Sequence, residues 1–167
     1  SVGLGRVETE QPLIDLLELD ERVFPLATDD MHGGVDDAYA IGGWSMIKAP
    51  ALEYSAVMDA LEKGDFYSST GPEIHALYLD GETLWVECSE ASLIRVNTER
   101  RVSMIKKAAD APLTRVGFDM HPYFEASFEK NMPVKPYFRV TVQDANGCRA
   151  YTRAYFLDEL AGISYEK

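Results

Sequence analysis

The chain has little with which to cross-link or anchor itself. Only two of its 167 residues are cysteine, Cys88 and Cys148, and they form no CxxC pair. Two reduced, half-buried thiols in a cytoplasmic protein are the expectation, and a single cross-strand disulfide stays open. No apolar run approaches the ~20 residues that cross a bilayer. No charged start followed by an apolar stretch marks a signal peptide. Basic charge is also scarce: 16 Lys and Arg against 28 Asp and Glu leave a net charge of −12. Such a chain repels polyanions, which argues against duplex nucleic acid as a partner and, with the missing apolar run, against a membrane. Glycine-rich phosphate loops and G-x-S-x-G elbows are absent. Histidine occurs three times, at His32, His75 and His121, and never as H-x-H.

The rest of the composition is that of an ordinary globular chain, 46% apolar and 26% charged. Its length suits one domain or two small ones. The negative charge is uneven. Residues 1–80 hold four basic and sixteen acidic residues, whereas residues 81–167 hold twelve of each. Either the first part is an acidic, solvated face, or several of its carboxylates belong to a site for divalent cations.

Hydrophobic spacing divides the chain near Pro72. Residues 9–20 read as a short helix, capped by Thr9 and with Pro12 in its first turn. Residues 23–28 (VFPLAT) read as a short buried strand, weakened by Pro25, that ends at two aspartates. The glycine pairs around residues 33–43 mark a loop, and residues 44–48 suit another short strand. Residues 53–63 form a helix with Tyr54, Val57, Met58 and Leu61 on one face and Gly64 as its left-handed stop. The segment 66–72 (FYSSTGP) suits a tight loop. Beyond it the period drops to two. Strands are expected at 74–79, 83–88, 92–97, 101–106, 113–118, 123–128, 137–143 and 149–156. Asp80-Gly81 and Asn146-Gly147 are expected to close hairpins. Eight short strands at this spacing predict an antiparallel, Ig-like β-sandwich over 73–167.

The most informative string is Ala27-Thr28-Asp29-Asp30-Met31-His32. At the end of a strand, Asp30 and His32 project to the same side and can meet at one ion. A carboxylate and an imidazole suit Zn, Mn or Fe. Asp29 can orient the histidine or accept hydrogen bonds from the loop. The same tripeptide also suits a capped turn with an exposed histidine, and two ligands are fewer than a catalytic metal takes. Asp119 and His121 repeat the spacing without the preceding strand. Lys48, Ser69 and Thr70 are candidates to face an anionic substrate, although loop hydroxyls often satisfy their own backbone. Trp44 reads as core.

Taken together, ATDDMH, GGWSMIKA, DALEKGDFYSSTGPEI and the late VTVQDANGCRAYTRAYF resemble the C-terminal part of PHP-domain proteins, the polymerase and histidinol phosphatase superfamily. The likeness is to its metal-dependent phosphoesterase-like members. It is close over residues 23–80 and looser beyond. It implies an α+β chain: the remnant of a distorted (β/α)7 barrel over 1–72, followed by an appended antiparallel β-sandwich. It also implies hydrolysis of a phosphate ester by metal-activated water, with the family's last D-x-H motif falling on Asp30 and His32. The substrate expected of the parent protein is a phosphorylated small molecule or a nucleotide.

The chain departs from that family in lacking the opening H-x-H and the further ligands. The stretch before Asp30 is too short for the earlier strands. It therefore reads as a C-terminal piece with an incomplete site for Zn, Mn or Fe, inactive alone. Barrel elements stripped of their neighbours leave open edges, so self-association or docking onto a missing N-terminal half is expected. The rival expectation is a non-catalytic β-sandwich binding module on a degenerate N-terminal support.

Overall fold

A computed structural model of the chain describes residues 17, 22–28, 42–99, 103–128 and 135–160. The helix expected over 9–20 lies outside these, apart from Leu17, as does most of the 33–43 loop.

The described elements run in the order β1 (Trp44–Ile47), α1 (Tyr54–Lys63), β2 (Phe66–Ser69), β3 (Ile74–Asp80), β4 (Thr83–Ala91), β5 (Leu93–Thr98), β6 (Ser103–Lys107), β7 (Leu113–Asp119), α2 (His121–Phe128), β8 (Tyr137–Gln143), β9 (Arg149–Thr152) and β10 (Tyr155–Phe156). This is a β-rich α+β chain. No described helix is long and apolar enough to cross a membrane. One sheet has the order β1-β2-β9-β8-β5-β6, with β10 also on β8, and a second has the order β3-β4-β7. Every pairing among them is antiparallel. The larger sheet runs across Pro72, because β2 bonds directly to β9.

Alternation explains how the sheets meet. Leu84, Val86 and Cys88 of β4 and Val116 and Phe118 of β7 turn towards Ile94, Val96, Val140, Val142 and Ala150 of the large sheet, and the two sheets share one core. Each of the Leu, Ile, Val and Phe side chains stabilises the fold by roughly 1.5–3 kcal/mol through burial. The hairpins expected at Asp80-Gly81 and Asn146-Gly147 join β3 to β4 and β8 to β9. The second is tied by Asp144, whose side chain accepts hydrogen bonds from the amides of Asn146 (2.8 Å) and Cys148 (2.9 Å). Cys88 and Cys148 are not bonded to each other.

Four local expectations are corrected. Residues 22–28 join no sheet. Pro25 offers no ladder donor, and neighbouring side chains take the backbone groups instead. Ser68 Oγ donates to the Pro25 carbonyl (2.6 Å), and Ser45 Oγ bonds both the amide (3.2 Å) and the carbonyl (3.3 Å) of Ala27. Residues 66–69, expected as loop, form β2, because Phe66, Ser68 and Ser69 are buried and both hydroxyls find acceptors. Residues 123–128, expected as a strand, lie in α2. The Asp119 carboxylate accepts from the His121 amide (3.0 Å), Pro122 suits a first turn, and Phe124 and Ser127 keep helical spacing while buried. In α1 the inward face holds Val57, Ala60 and Leu61, whereas Tyr54 and Met58 are exposed.

The stop of α1 is as expected. Gly64 has φ +71, and its amide and that of Asp65 close onto carbonyls of the last turn. A Cβ there would stand 2.6 Å from the Phe24 ring, so the position also needs glycine to admit the 22–28 segment.

Candidate functional site

Of the residues singled out by the sequence, Asp29, Asp30 and His32 lie outside the described residues. The described segment 22–28 ends at Thr28, directly before them in sequence. Phe24 packs edge-on against Phe66, with ring centroids 6.3 Å apart. Val23 packs with Leu17, Tyr137, Ala154 and Phe156. Arg22 pairs with Asp158 and Glu159. The segment thus lies over one face of the β1–β2 pair, where Ser45 and Ser68 stand opposite each other, and delivers Thr28 beside Gly43. A Cβ on Gly43 would be 3.5 Å from Ala27 Cβ and 3.7 Å from the carbonyl oxygens of both Thr28 and Ser69. Three stretches distant in sequence therefore converge: Ala27-Thr28 at the start of ATDD, the GGW turn and the SSTG turn.

Ser69 is only 1% exposed. Its hydroxyl donates to the Pro72 carbonyl (2.6 Å) and accepts from the Gly71 amide (3.0 Å). Thr70 Oγ1 accepts from the Arg149 amide (2.9 Å), which locks the turn to β9. Next in the turn, Gly71 passes so close to the residue before β9 that a Cβ would meet Cys148 Cβ at 2.7 Å. The two hydroxyls hold a rigid turn, and the backbone of that turn borders Gly43. Trp44, directly opposite Ser69, is half-buried.

Lys48 is not part of this convergence. β1 runs antiparallel to β2, with Trp44 opposite Ser69 and Ile47 opposite Phe66. Lys48 therefore sits at the far end, bonded through its amide to the Asp65 carbonyl (2.8 Å). Four residues of strand put it roughly 13 Å from the Ser69 end.

The other histidines are occupied at the surface. His75 Nε2 contacts Glu73 (3.3 Å). His121 contacts Glu82 through Nδ1 (2.8 Å) and Glu125 through Nε2 (3.4 Å). Asp119 caps the His121 amide, so this second D-x-H is a helix start. Among the described residues, no three His, Cys, Asp or Glu side chains gather in a way that could hold a metal ion.

Burial shapes the remaining chemistry. The Cys88 thiol, in the core between the sheets, is pushed up to about 11 by desolvation, which makes it a poor nucleophile. Burial also raises Tyr155, against the opposing pull of Arg153, and raises Tyr67, whose hydroxyl oxygen accepts from the Ile74 amide. On the outer face of the small sheet, the Arg115 guanidinium lies 3.8 Å from the Trp85 ring centroid and bonds Glu87 and the Tyr78 hydroxyl. That cluster was not read from the sequence, although its cross-strand register follows from the hairpin at Asp80-Gly81 and the return of β7. Comparison of the chain with protein-family models, with curated proteins and with solved structures finds no match.

Proposed function

We propose that the chain is the C-terminal part of a PHP-type metal-dependent phosphoesterase and is inactive by itself. The observation that supports the reading is the convergence of Thr28, Gly43 and Ser69. These belong to three separate pieces of the string that resembles the family. They meet immediately before Asp29, Asp30 and His32, where the family carries its last metal motif. In this reading the part over 1–72 derives from the barrel and lends β1 and β2 to the sheet of the sandwich.

Asp30 and His32 would hold Zn, Mn or Fe, a donor pair of the right chemistry but too few to complete a site. Asp29 would orient His32. When bound, the metal supplies an activated water for hydrolysis of a phosphate ester. Ser69 and Thr70 keep the neighbouring turn rigid, so that its backbone can line the substrate, a phosphorylated small molecule or nucleotide. Lys48 serves this site only if the missing N-terminal half, or a second copy, brings substrate along β1. The protein works in the cytoplasm, with both thiols reduced.

The test is metal analysis after equilibration with Zn or Mn. The chain should retain less than one equivalent, and His32→Ala should lower it further. Equal metal content in both proteins removes Asp30 and His32 as a site. With a chromogenic phosphate ester and added Mn, the chain should be nearly inactive, whereas a protein that includes the N-terminal half should turn over. Appreciable metal-dependent turnover by the chain alone would refute the incomplete-site reading.

A non-catalytic binding module is the second reading. It is favoured by the continuity of the large sheet across Pro72, which gives the described part a core of its own.

A further inference from the structure

Residues 22–28 are attached to the molecule differently from the strands beneath them. They join no sheet. The backbone groups of Pro25 and Ala27 are met by the hydroxyls of Ser68 and Ser45 rather than by a strand. The sheets below have their backbone ladders and one shared apolar core. A segment fixed by side chains near the surface opens more readily than paired strands in a core.

Charge fastens the N-terminal end of this segment. The Arg22 guanidinium donates to both carboxylate oxygens of Asp158 (2.9 Å each) and to Glu159, and it lies 4.8 Å from the Phe156 ring centroid. The other Glu159 oxygen accepts from Arg153 Nη1 (2.7 Å). Arg153 in turn stands over the Tyr155 ring at 4.5 Å and the Phe24 ring at 5.8 Å. These links close a ring, from Arg22 through Glu159 and Arg153 back to Phe24 of the same segment. The Glu159 and Arg153 side chains are 23% and 16% exposed, so their pair is partly shielded from water. Linked, partly shielded ion pairs hold better than isolated exposed ones, yet salt still weakens them.

We propose that residues 22–28 form a strap that opens as a unit while both sheets stay folded, and that the Arg22–Glu159–Arg153 buckle sets how often it opens. Closed, the strap seats Thr28 beside Gly43, which borders the Ser69 carbonyl. Open, it withdraws Thr28 from that convergence and releases the Ser45 and Ser68 hydroxyls. The turn at Leu157–Glu159, which follows the last strand, thereby governs a convergence built from the first part of the chain. The device does not depend on the phosphoesterase reading.

The test is hydrogen exchange of the whole chain, read by mass spectrometry at low salt. The amides of 22–28 should exchange at least roughly tenfold faster than those of β8, where every residue but Gln143 is buried. Arg22→Met and Glu159→Gln should each speed exchange in 22–28 severalfold and leave β8 unchanged. Arg22→Lys keeps the charge but not the fork, and should fall between Arg22→Met and the unaltered chain. Sodium chloride at about 1 M, where charges are screened beyond ~3 Å, should speed 22–28 in the unaltered chain and do little in Arg22→Met. Exchange of 22–28 in step with β8 in every protein would mean that the strap has no opening of its own. Rates unchanged in both Arg22→Met and Glu159→Gln, or unmoved by salt in the unaltered chain, would overturn the buckle.

Discussion

Cys88 shows how position in the core sets the chemistry of a single group. Its ordinary thiol value of 9.0 rises to about 11 because the thiolate would have to form between two packed sheets. The folded chain then holds the proton more tightly than the unfolded one. The resulting stability is complete below about pH 9 and is lost as the pH climbs towards 11, roughly 2–3 kcal/mol in all. Tyr67 and Tyr155 are shifted in the same direction, so their loss adds at still higher pH. Urea unfolding between pH 8 and 11 should therefore show a steep alkaline decline, made shallower by Cys88→Ala. Parallel curves for the two proteins would mean that the thiol does not govern it. Ser69 is a second such residue. Ser69→Ala removes a hydroxyl that bonds on two sides of the 69–72 turn, and should cost about 1–3 kcal/mol in unfolding free energy. An unchanged unfolding free energy in Ser69→Ala would mean that these two hydrogen bonds do not hold the turn.

Among the elements, α1 and β2 depend on one another through Phe24. The αL stop at Gly64 leaves space for the Phe24 ring, and that ring packs on Phe66. Gly64→Ala combines a strained φ with a clash, and the melting temperature should fall by several degrees, the counterpart of roughly 1–3 kcal/mol. The stop was legible in the sequence because an isolated glycine after a helical run has one common use. The strand character of 66–69 was not. Phe-Tyr-Ser-Ser followed by Thr-Gly-Pro carries the composition of a loop, and only burial against Pro25 and pairing with β1 and β9 make it a strand. The same limit applies to α2. Tyr123, Phe124 and Phe128 fit a short strand about as well as a helix, and the Asp119 cap with Pro122 decides for the helix.

As a whole, the described molecule has open sheet edges. β1 has β2 as its one strand neighbour among the described residues, and its Met46 and Ile47 are exposed, as are Leu52, Tyr54 and Met58 nearby. Unpaired strand edges with apolar side chains pair with other chains. Sedimentation at several concentrations should reveal reversible self-association, reduced by Met46→Lys with Ile47→Lys. A monomer at every concentration would mean that the β1 edge is covered within the chain. The convergence at Gly43 also belongs to this level. The strings ATDD, GGW and SSTG were all recognisable, but their meeting depends on β1 and β2 pairing antiparallel and on two serines holding the 22–28 segment to them. The separation of Lys48 from Ser69 follows from that same pairing.

Local pattern was enough to establish the β-rich second half, its hairpins at Asp80-Gly81 and Asn146-Gly147 and the end of α1. Period, turn chemistry and capping act between residues a few positions apart. Long-range pairing decided the rest: which apolar run joins a sheet, which hydroxyls are buried, and which charges share a face. Arg95, Arg139 and Arg149 lie up to 54 residues apart and become neighbours only because β8 pairs with both β5 and β9. Alternation tells each strand that it has two faces, but the choice of neighbours is a property of the assembled sheet.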